Sequence, residues 1–356
     1  MELQDIKLTN FKNYSEGGFI FHPKLNVIVG LNGRGKTNLM DAIYYLCMGK
    51  SYFSTLEKNV VRHDQTFFRL DGKIDGCRVE IKSQLGRQKE ILLNGGSFNK
   101  LTDYVGKHPI VVVAPDDIYQ LFAVSENRRI FINNTLVQYD NVYLRELLSY
   151  NRLLKQRNAL LKSFQQEKRQ NLVLLDTITN QMAGPAKYIS AARKQFIDEI
   201  GPVFQSHYQI ISGDREQAGL GYSSEPVETS WTDIWKKDLQ KDLITARTNS
   251  GVHKDDLEMF LNDKAVKDFA SQGQTKSYVL ALKFSQYEVL KSHSGKKPIL
   301  LLDDVFDKLD PSRMKFLLDH VTTEEFGQVF ISDTDDNKVP DMLGDISQSF
   351  QKFSIQ

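Results

Sequence analysis

An apolar, β-branched run, Val27-Ile28-Val29, leads directly into Gly30-Leu31-Asn32-Gly33-Arg34-Gly35-Lys36-Thr37. Leu39, Ala42, Ile43 and Leu46 then follow at helical spacing. The loop fits G-x-x-x-x-G-K-[ST] at every fixed position, and a buried strand before it with a helix after it is the context of a P-loop. This order restricts the chain to folds built on a parallel α/β sheet. The chemistry requires these residue types. Backbone N–H groups can surround phosphate only where no Cβ intrudes, which Gly30, Gly33 and Gly35 allow. The helix N-terminus adds unpaired N–H groups and partial positive charge. Lys36 brings an ammonium to the β- and γ-phosphates, and the Thr37 hydroxyl is a ligand for Mg²⁺.

The rest of the chain sets bounds on this nucleotide-binding expectation. Its 356 residues suggest two domains or one large one. The net charge of +1 gives no global field toward nucleic acid, so any DNA surface is local. Cys47 and Cys77, the two cysteines, make neither a disulfide framework nor a metal cluster and fit a reducing compartment. The N-terminus is charged from its second residue, and no apolar run reaches the length of a membrane span. A cytoplasmic protein is expected.

In chain order, residues 2–8 read as a strand with Phe19-Ile20-Phe21 as its partner. Residues 67–93 read as an antiparallel meander punctuated by Asp71-Gly72, Asp75-Gly76, Gly86 and Asn94-Gly95-Gly96. Residues 110–113 are another buried strand. Helical periodicity then predicts helices over 116–138, 141–170, 171–183 and 185–210, with a break at Gly184-Pro185, a bend at Gly201-Pro202, and a linker at 219–226. On the second of these helices, Arg152, Lys155, Lys162 and Arg169 share one flank, and Leu153, Leu154, Leu160, Leu161 and Phe164 lie opposite. That flank is either a solvated face or a surface for DNA phosphates.

Further on, Ser271-Gln272-Gly273-Gln274 opens a helical pattern running from Tyr278 to Leu290, a second anion site of the helix N-terminus kind. The strand Pro298 to Leu302 ends in Asp303-Asp304, which beside a P-loop makes a metal-and-water site.

Taken in this order the motifs resemble the ABC-type ATPase heads of the SMC and RecF group. Ser271-Gln272-Gly273-Gln274 is similar to the signature, Asp303-Asp304 to Walker B, and residues 306–310 to the D-loop. LTNFKNYSE near the start, GLNGRGKTNLMDAIYYL, YNRLLKQRNALLK and SGVHKDDL resemble the RecF family within that group. The resemblance implies an α/β ATPase head, a mixed sheet plus the meander, with an inserted helical lobe and no long coiled coil. Residues 1–115 and 275–356 are expected to form the ATPase lobe and residues 116–274 the insert. It further implies ATP and Mg²⁺ as ligands. Residues 30–37 (with Leu31, Asn32 and Arg34 among them), Lys12 and Asn13 would contact phosphate. Thr37 and, through water, Asp303 would hold the metal, while Asp304 polarises the attacking water. Ser271, Gly273 and Gln274 would close on the nucleotide of a second copy, giving an ATP-dependent homodimer. The role implied is in DNA repair, replication, recombination and the SOS response. The partners are single-stranded and gapped duplex DNA, a RecR-type mediator and, through it, the recombinase.

Several positions depart from the family pattern. Lys12 and Lys254 stand where arginine is usual, and Val252 where proline is. Two further features are common to RecF-like chains but differ from the wider ABC pattern: Asp304 replaces the usual glutamate, and no histidine follows the strand Val329 to Ser332. Asp333 or Thr334 stands at the switch histidine, and the Q-loop falls within residues 114–121. A P-loop enzyme of another class, a small-molecule kinase or an ATP-dependent nuclease, is the rival. The signature-like tetrapeptide argues against a kinase, and no further carboxylate cluster supports a nuclease.

Overall fold

The computed structural model describes residues 1–98, 100–166, 171–213, 216–225, 230–306, 311–345 and 349–355. Residues 307–310 of the D-loop and Arg169 lie outside the described residues. The chain divides into two compact units, Met1–Ile118 with Leu282–Gln356, and Tyr119–Ala281.

The first unit is built on a five-stranded sheet in the order Gln351–Ser354, Leu25–Val29, Val329–Asp333, Ile299–Leu302, Ile110–Val113, and every pairing is parallel. Four of these strands are buried at every residue, as expected where both faces of a parallel sheet are covered. The strand Gln351–Ser354 lies at an edge and is only partly buried. Parallel pairing brings the carboxyl ends together: Val29 is in register with Asp333, and Leu302 with Ile331. The crevice outside those ends is where α/β sheets bind ligands.

A six-stranded antiparallel sheet completes this unit, in the order Tyr14–Ile20, Leu3–Phe11, Phe67–Ile74, Cys77–Gln84, Glu90–Leu93, Gly96–Ser97. The helix that follows the P-loop, Lys36–Met48, buries nearly all its residues, and a helix apolar on all sides belongs inside a core. It packs closely on the antiparallel sheet. A Cβ at Gly72 would lie 2.5 Å from a Leu46 methyl and 2.8 Å from the Asp5 carbonyl oxygen.

The second unit pairs the helix Asn141–Gln166 with Leu172–Ser212. The break expected at Gly184-Pro185 does not occur, because Leu172–Ser212 is one helix with Pro185 and Pro202 inside it. Each internal proline costs about 3 kcal/mol. The apolar stripe Leu175, Ile178, Met182, Ala186, Ile189, Phe196, Ile200, Phe204 and Tyr208 is buried along its whole length and outweighs them. The expected linker at 219–226 is in its first part a strand, Ala218–Ser223, paired antiparallel with Asp256–Leu261. Gly221 makes room for that partner, since a Cβ there would meet the Phe260 ring at 3.1 Å. Among the described residues no helix is long and apolar enough to cross a membrane.

Candidate nucleotide site

The loop at residues 30–35 turns on Gly30, Gly33 and Gly35, whose φ angles are 149°, 78° and 120°. Side chains rarely adopt such values. At Gly30 a Cβ would also collide with the Ile355 carbonyl, and at Gly35 it would fall 2.7 Å from Asn13 Nδ2. Lys36 Nζ folds back to donate to the carbonyls of Gly30 at 2.7 Å and Leu31 at 3.3 Å. The ammonium is thus held over the loop it serves.

The first hairpin braces the far side. Leu3–Phe11 and Tyr14–Ile20 are joined by the tight turn Lys12-Asn13, with Phe11 opposite Tyr14. Asn13 Nδ2 donates to the Arg34 carbonyl at 2.9 Å, and the Tyr14 hydroxyl donates to the Gly35 carbonyl at 3.1 Å. Asn38 Nδ2 donates to Asn13 Oδ1 at 2.8 Å. Asn13, expected at phosphate, here clamps the end of the P-loop. Lys12, in left-handed backbone at φ 50°, forms an ion pair with Asp41 at 2.6 Å. Asp41 also accepts from Ser51 Oγ at 2.6 Å and the Tyr52 N–H at 2.8 Å.

Asp303 lies just beyond the strand Ile299–Leu302, where the Asp303 N–H donates to the Val113 carbonyl at 2.9 Å. Burial pushes its carboxyl upward from the ordinary range, while hydrogen bonds from Ser332 and Thr37 and the charges of Lys36 and Lys12 pull the other way. Thr37 and Asp303, the two expected metal residues, are therefore within hydrogen-bonding reach of each other. A hard cation takes oxygen ligands of this kind, with phosphate and water completing the shell. Ser332 organises the carboxylate pair. Its Oγ donates to Asp303 Oδ1 at 2.6 Å and accepts the Asp304 N–H at 2.9 Å. Asp304 adopts φ 49°, a conformation aspartate tolerates better than most residues.

In the second unit, Ser271 caps the helix Gln272–Ser294. Its Oγ accepts the Gln274 N–H at 3.3 Å, and Gln274 Oε1 accepts the Ser271 N–H at 2.6 Å. This reciprocal pair is a capping box. Gln274 Nε2 also donates to Glu216 Oε1. The box leaves Gly273, without a side chain, in the first turn of the helix, the geometry of an anion site.

On the helix Asn141–Gln166, Arg152, Lys155 and Lys162 are exposed, while Leu153, Leu161 and Phe164 are buried. Sequence reasoning missed Arg157, which is 1% exposed. Its guanidinium donates to Asp242 Oδ2 and Thr248 Oγ1, each at 2.7 Å, and to Thr179 Oγ1 at 3.0 Å. A signal for it existed, since Arg157 stands four residues from Leu153 and from Leu161, within the apolar stripe. The SGVHKDDL stretch meets this same helix. Tyr150 Oη lies 2.8 Å from His253 Nδ1, and His253 Nε2 lies 3.1 Å from the Thr248 carbonyl. A carbonyl only accepts, so Nε2 carries the proton and Tyr150 donates to Nδ1. Burial lowers the His253 pKa to about 4, keeping the ring neutral. Arg193, also buried, reaches Asp255 Oδ2 at 2.7 Å and the Val252 carbonyl at 2.6 Å. These two stretches hold the helical unit together.

Comparison with known proteins fits this geometry. Residues 2–104 match the family described as the RecF/RecN/SMC N terminal domain. The chain is 38% identical to the DNA replication and repair protein RecF of Flavobacterium johnsoniae over the full length of both. Its identity to the protein of that name from Porphyromonas gingivalis is 34%, over all of this chain and 98% of the other. The chain belongs to the RecF family. Its fold superposes on a solved structure of the recombination mediator protein RecF-ATPrS in the RecFOR pathway. The TM-score there is 0.88 at 28% identity, over 99% of this chain and 96% of the other. An Smc head bound to the C-winged helix domain of ScpA shares the fold alone, with a TM-score of 0.55 at 15% identity. The α/β head expected from sequence is thus the fold observed.

Proposed function

We propose that this RecF-family chain is an ATP-dependent DNA-binding protein of recombinational repair and replication restart. Its own residues divide the work. The N–H groups of residues 30–37 and Lys36 bind the phosphates, and Lys12 is a further cation within reach. Thr37 and Asp303 hold Mg²⁺, which when bound neutralises developing charge on the phosphates. Asp304 accepts from the attacking water. Ser271 and Gly273 serve the nucleotide of a second copy, so ATP joins two chains in a C2 dimer. The dimer engages single-stranded and gapped duplex DNA and, through a RecR-type mediator, helps load the recombinase. Slow hydrolysis releases it.

One observation carries this reading: Thr37, Lys36 and Asp303, with Asp304 next in the chain, converge at the carboxyl ends of the two parallel strands that flank Val329–Asp333, beside a glycine loop shaped for phosphate. Relatives of known structure were solved as RecF-ATP and RecF-ATPrS. Sedimentation with and without MgATP, on gapped and on fully duplex DNA, tests it. The expected result is a dimer only with ATP and tighter binding to gapped DNA. A nucleotide-independent monomer on both substrates contradicts the proposal.

A further inference from the structure

Asp333 ends the strand that lies between the P-loop strand and the strand leading to Asp303, and it is in register with Val29. It is 3% exposed. Its Oδ1 accepts the Asp335 N–H at 2.8 Å. Its Oδ2 is buried and has no hydrogen-bond partner among the described residues. The neighbours differ: Ser332 uses its hydroxyl both as donor and as acceptor, and Thr334 is exposed. Leaving a buried acceptor without a donor is costly, more so for a charged one, and such an atom calls for an explanation.

We propose that Asp333 is a second water-positioning residue for ATP hydrolysis, its Oδ2 accepting a hydrogen bond from the water that attacks the terminal phosphate. The inference rests on the ATPase reading above. An ionised carboxylate only accepts, so Asp333 has no bond to offer phosphate oxygens, which also only accept. Water carries two protons. Asp304 and Asp333 can take one hydrogen bond each, and a lone pair of the water then points at phosphorus. As the new P–O bond forms, the bond from the γ-phosphorus to the β,γ-bridging oxygen breaks, and its electron pair leaves with ADP. One proton of the water passes to Asp304, while Asp333 Oδ2 fixes the second O–H. Positioning of this kind supplies most of the catalysis in phosphoryl transfer.

The test compares full-length wild type with Asp333→Asn, which keeps the shape but turns a donor toward the water. Asp333→Ser, which removes the carboxylate without adding an amide, runs beside it. Single-turnover hydrolysis should fall about 10- to 100-fold. Calorimetric affinity for ATPγS should stay at the wild-type value, and the thermal midpoint should not fall, since a costly unpartnered acceptor is removed. Affinity for ADP with aluminium fluoride, which mimics the in-line arrangement, should weaken by a factor similar to the fall in rate. Asp304→Asn combined with Asp333→Asn should be little slower than Asp304→Asn alone, because both act on one water. Wild-type hydrolysis in both Asp333 variants, a parallel drop in ATPγS affinity, or fully multiplicative effects in the double variant would each overturn the assignment. Lys36→Met separates the two levels: if it hydrolyses ATP at the wild-type rate, the ATPase reading itself fails.

Discussion

Lys12 Nζ meets Asp41 Oδ2 at 2.6 Å, and Asp41 is wholly buried. The lysine sits in the turn of the first hairpin, and the carboxylate lies one helical turn beyond Thr37. One ion pair therefore fastens the N-terminal hairpin to the P-loop helix. Phosphate would compete with Asp41 for this ammonium. Asp41 keeps two donors if Lys12 leaves, Ser51 Oγ and the Tyr52 N–H, so the exchange does not strand a bare charge.

That exchange can be tested by stability. Removing one partner of a buried pair costs about 3–5 kcal/mol, so Asp41→Asn should lower the thermal midpoint. MgATP should then stabilise Asp41→Asn more than wild type, because Lys12 is already free for phosphate. Lys12→Met should show a smaller ATP-induced shift than wild type. Equal shifts in all three proteins would leave Lys12 as a purely structural cation.

Assembly in trans makes a different demand. If Ser271 serves only the nucleotide of a second copy, Ser271→Arg should bind ATP with wild-type affinity yet stay monomeric, since arginine fills the first turn of the helix that would close on the partner's phosphate. Lys36→Met should lose ATP-driven dimerisation. Mixing the two should yield a heterodimer with one intact composite site, detectable by sedimentation. If Ser271→Arg fails to bind ATP as a monomer, the signature acts within one chain and the C2 arrangement is wrong.

The basic flank of the insertion helix has a salt-dependent readout. Neutralising Arg152, Lys155 and Lys162 should weaken DNA binding without regard to sequence. The slope of log affinity against log salt should drop by about 0.9 for each duplex phosphate that the variant no longer neutralises. These side chains are exposed, so stability should hardly change. A slope unaltered in the triple variant would mark the flank as solvated or directed to another partner.

The P-loop was legible because its chemistry dictates residue types at fixed spacing, and the buried strands because a parallel sheet writes itself as unbroken apolar runs. Ser332 was not legible. A serine at the end of an apolar strand carries no mark of the carboxylate it supports, and only the parallel register brings it to Asp303. Pro185 misled because local propensity argued for a break, whereas a buried stripe running the length of the helix kept it whole. Gly221 misled in the opposite sense, since it read as part of a linker yet permits close approach of Phe260 across a strand pair. Tertiary packing overrode local signals in both cases. Lys12 and Asn13 were expected at phosphate through the family resemblance, whereas the partners they have here, Asp41 and the Arg34 carbonyl, come from the folded hairpin.

Rate is the last expectation, and it follows from Asp304. Aspartate is one methylene shorter than the glutamate of the wider ABC pattern, so its backbone must bring the carboxylate nearer to the water. Asp304 adopts φ 49°, and its N–H is pinned to Ser332 Oγ at 2.9 Å. The backbone is thus turned and held at the residue where the shorter side chain needs it, but a carboxylate on one short arm cannot follow the water through the reaction. Hydrolysis should be slow, a timer for the DNA-bound dimer and not a power stroke. Asp304→Asn should slow it further while leaving ATP affinity intact, and should prolong the lifetime of the dimer on gapped DNA. Ser332→Ala should also slow hydrolysis, because it frees the Asp304 N–H and removes a donor from Asp303. Steady-state turnover at roughly 10 s⁻¹ or above, the range of ordinary enzymes, would defeat the timer reading, and undiminished hydrolysis by Asp304→Asn would remove Asp304 from the reaction altogether.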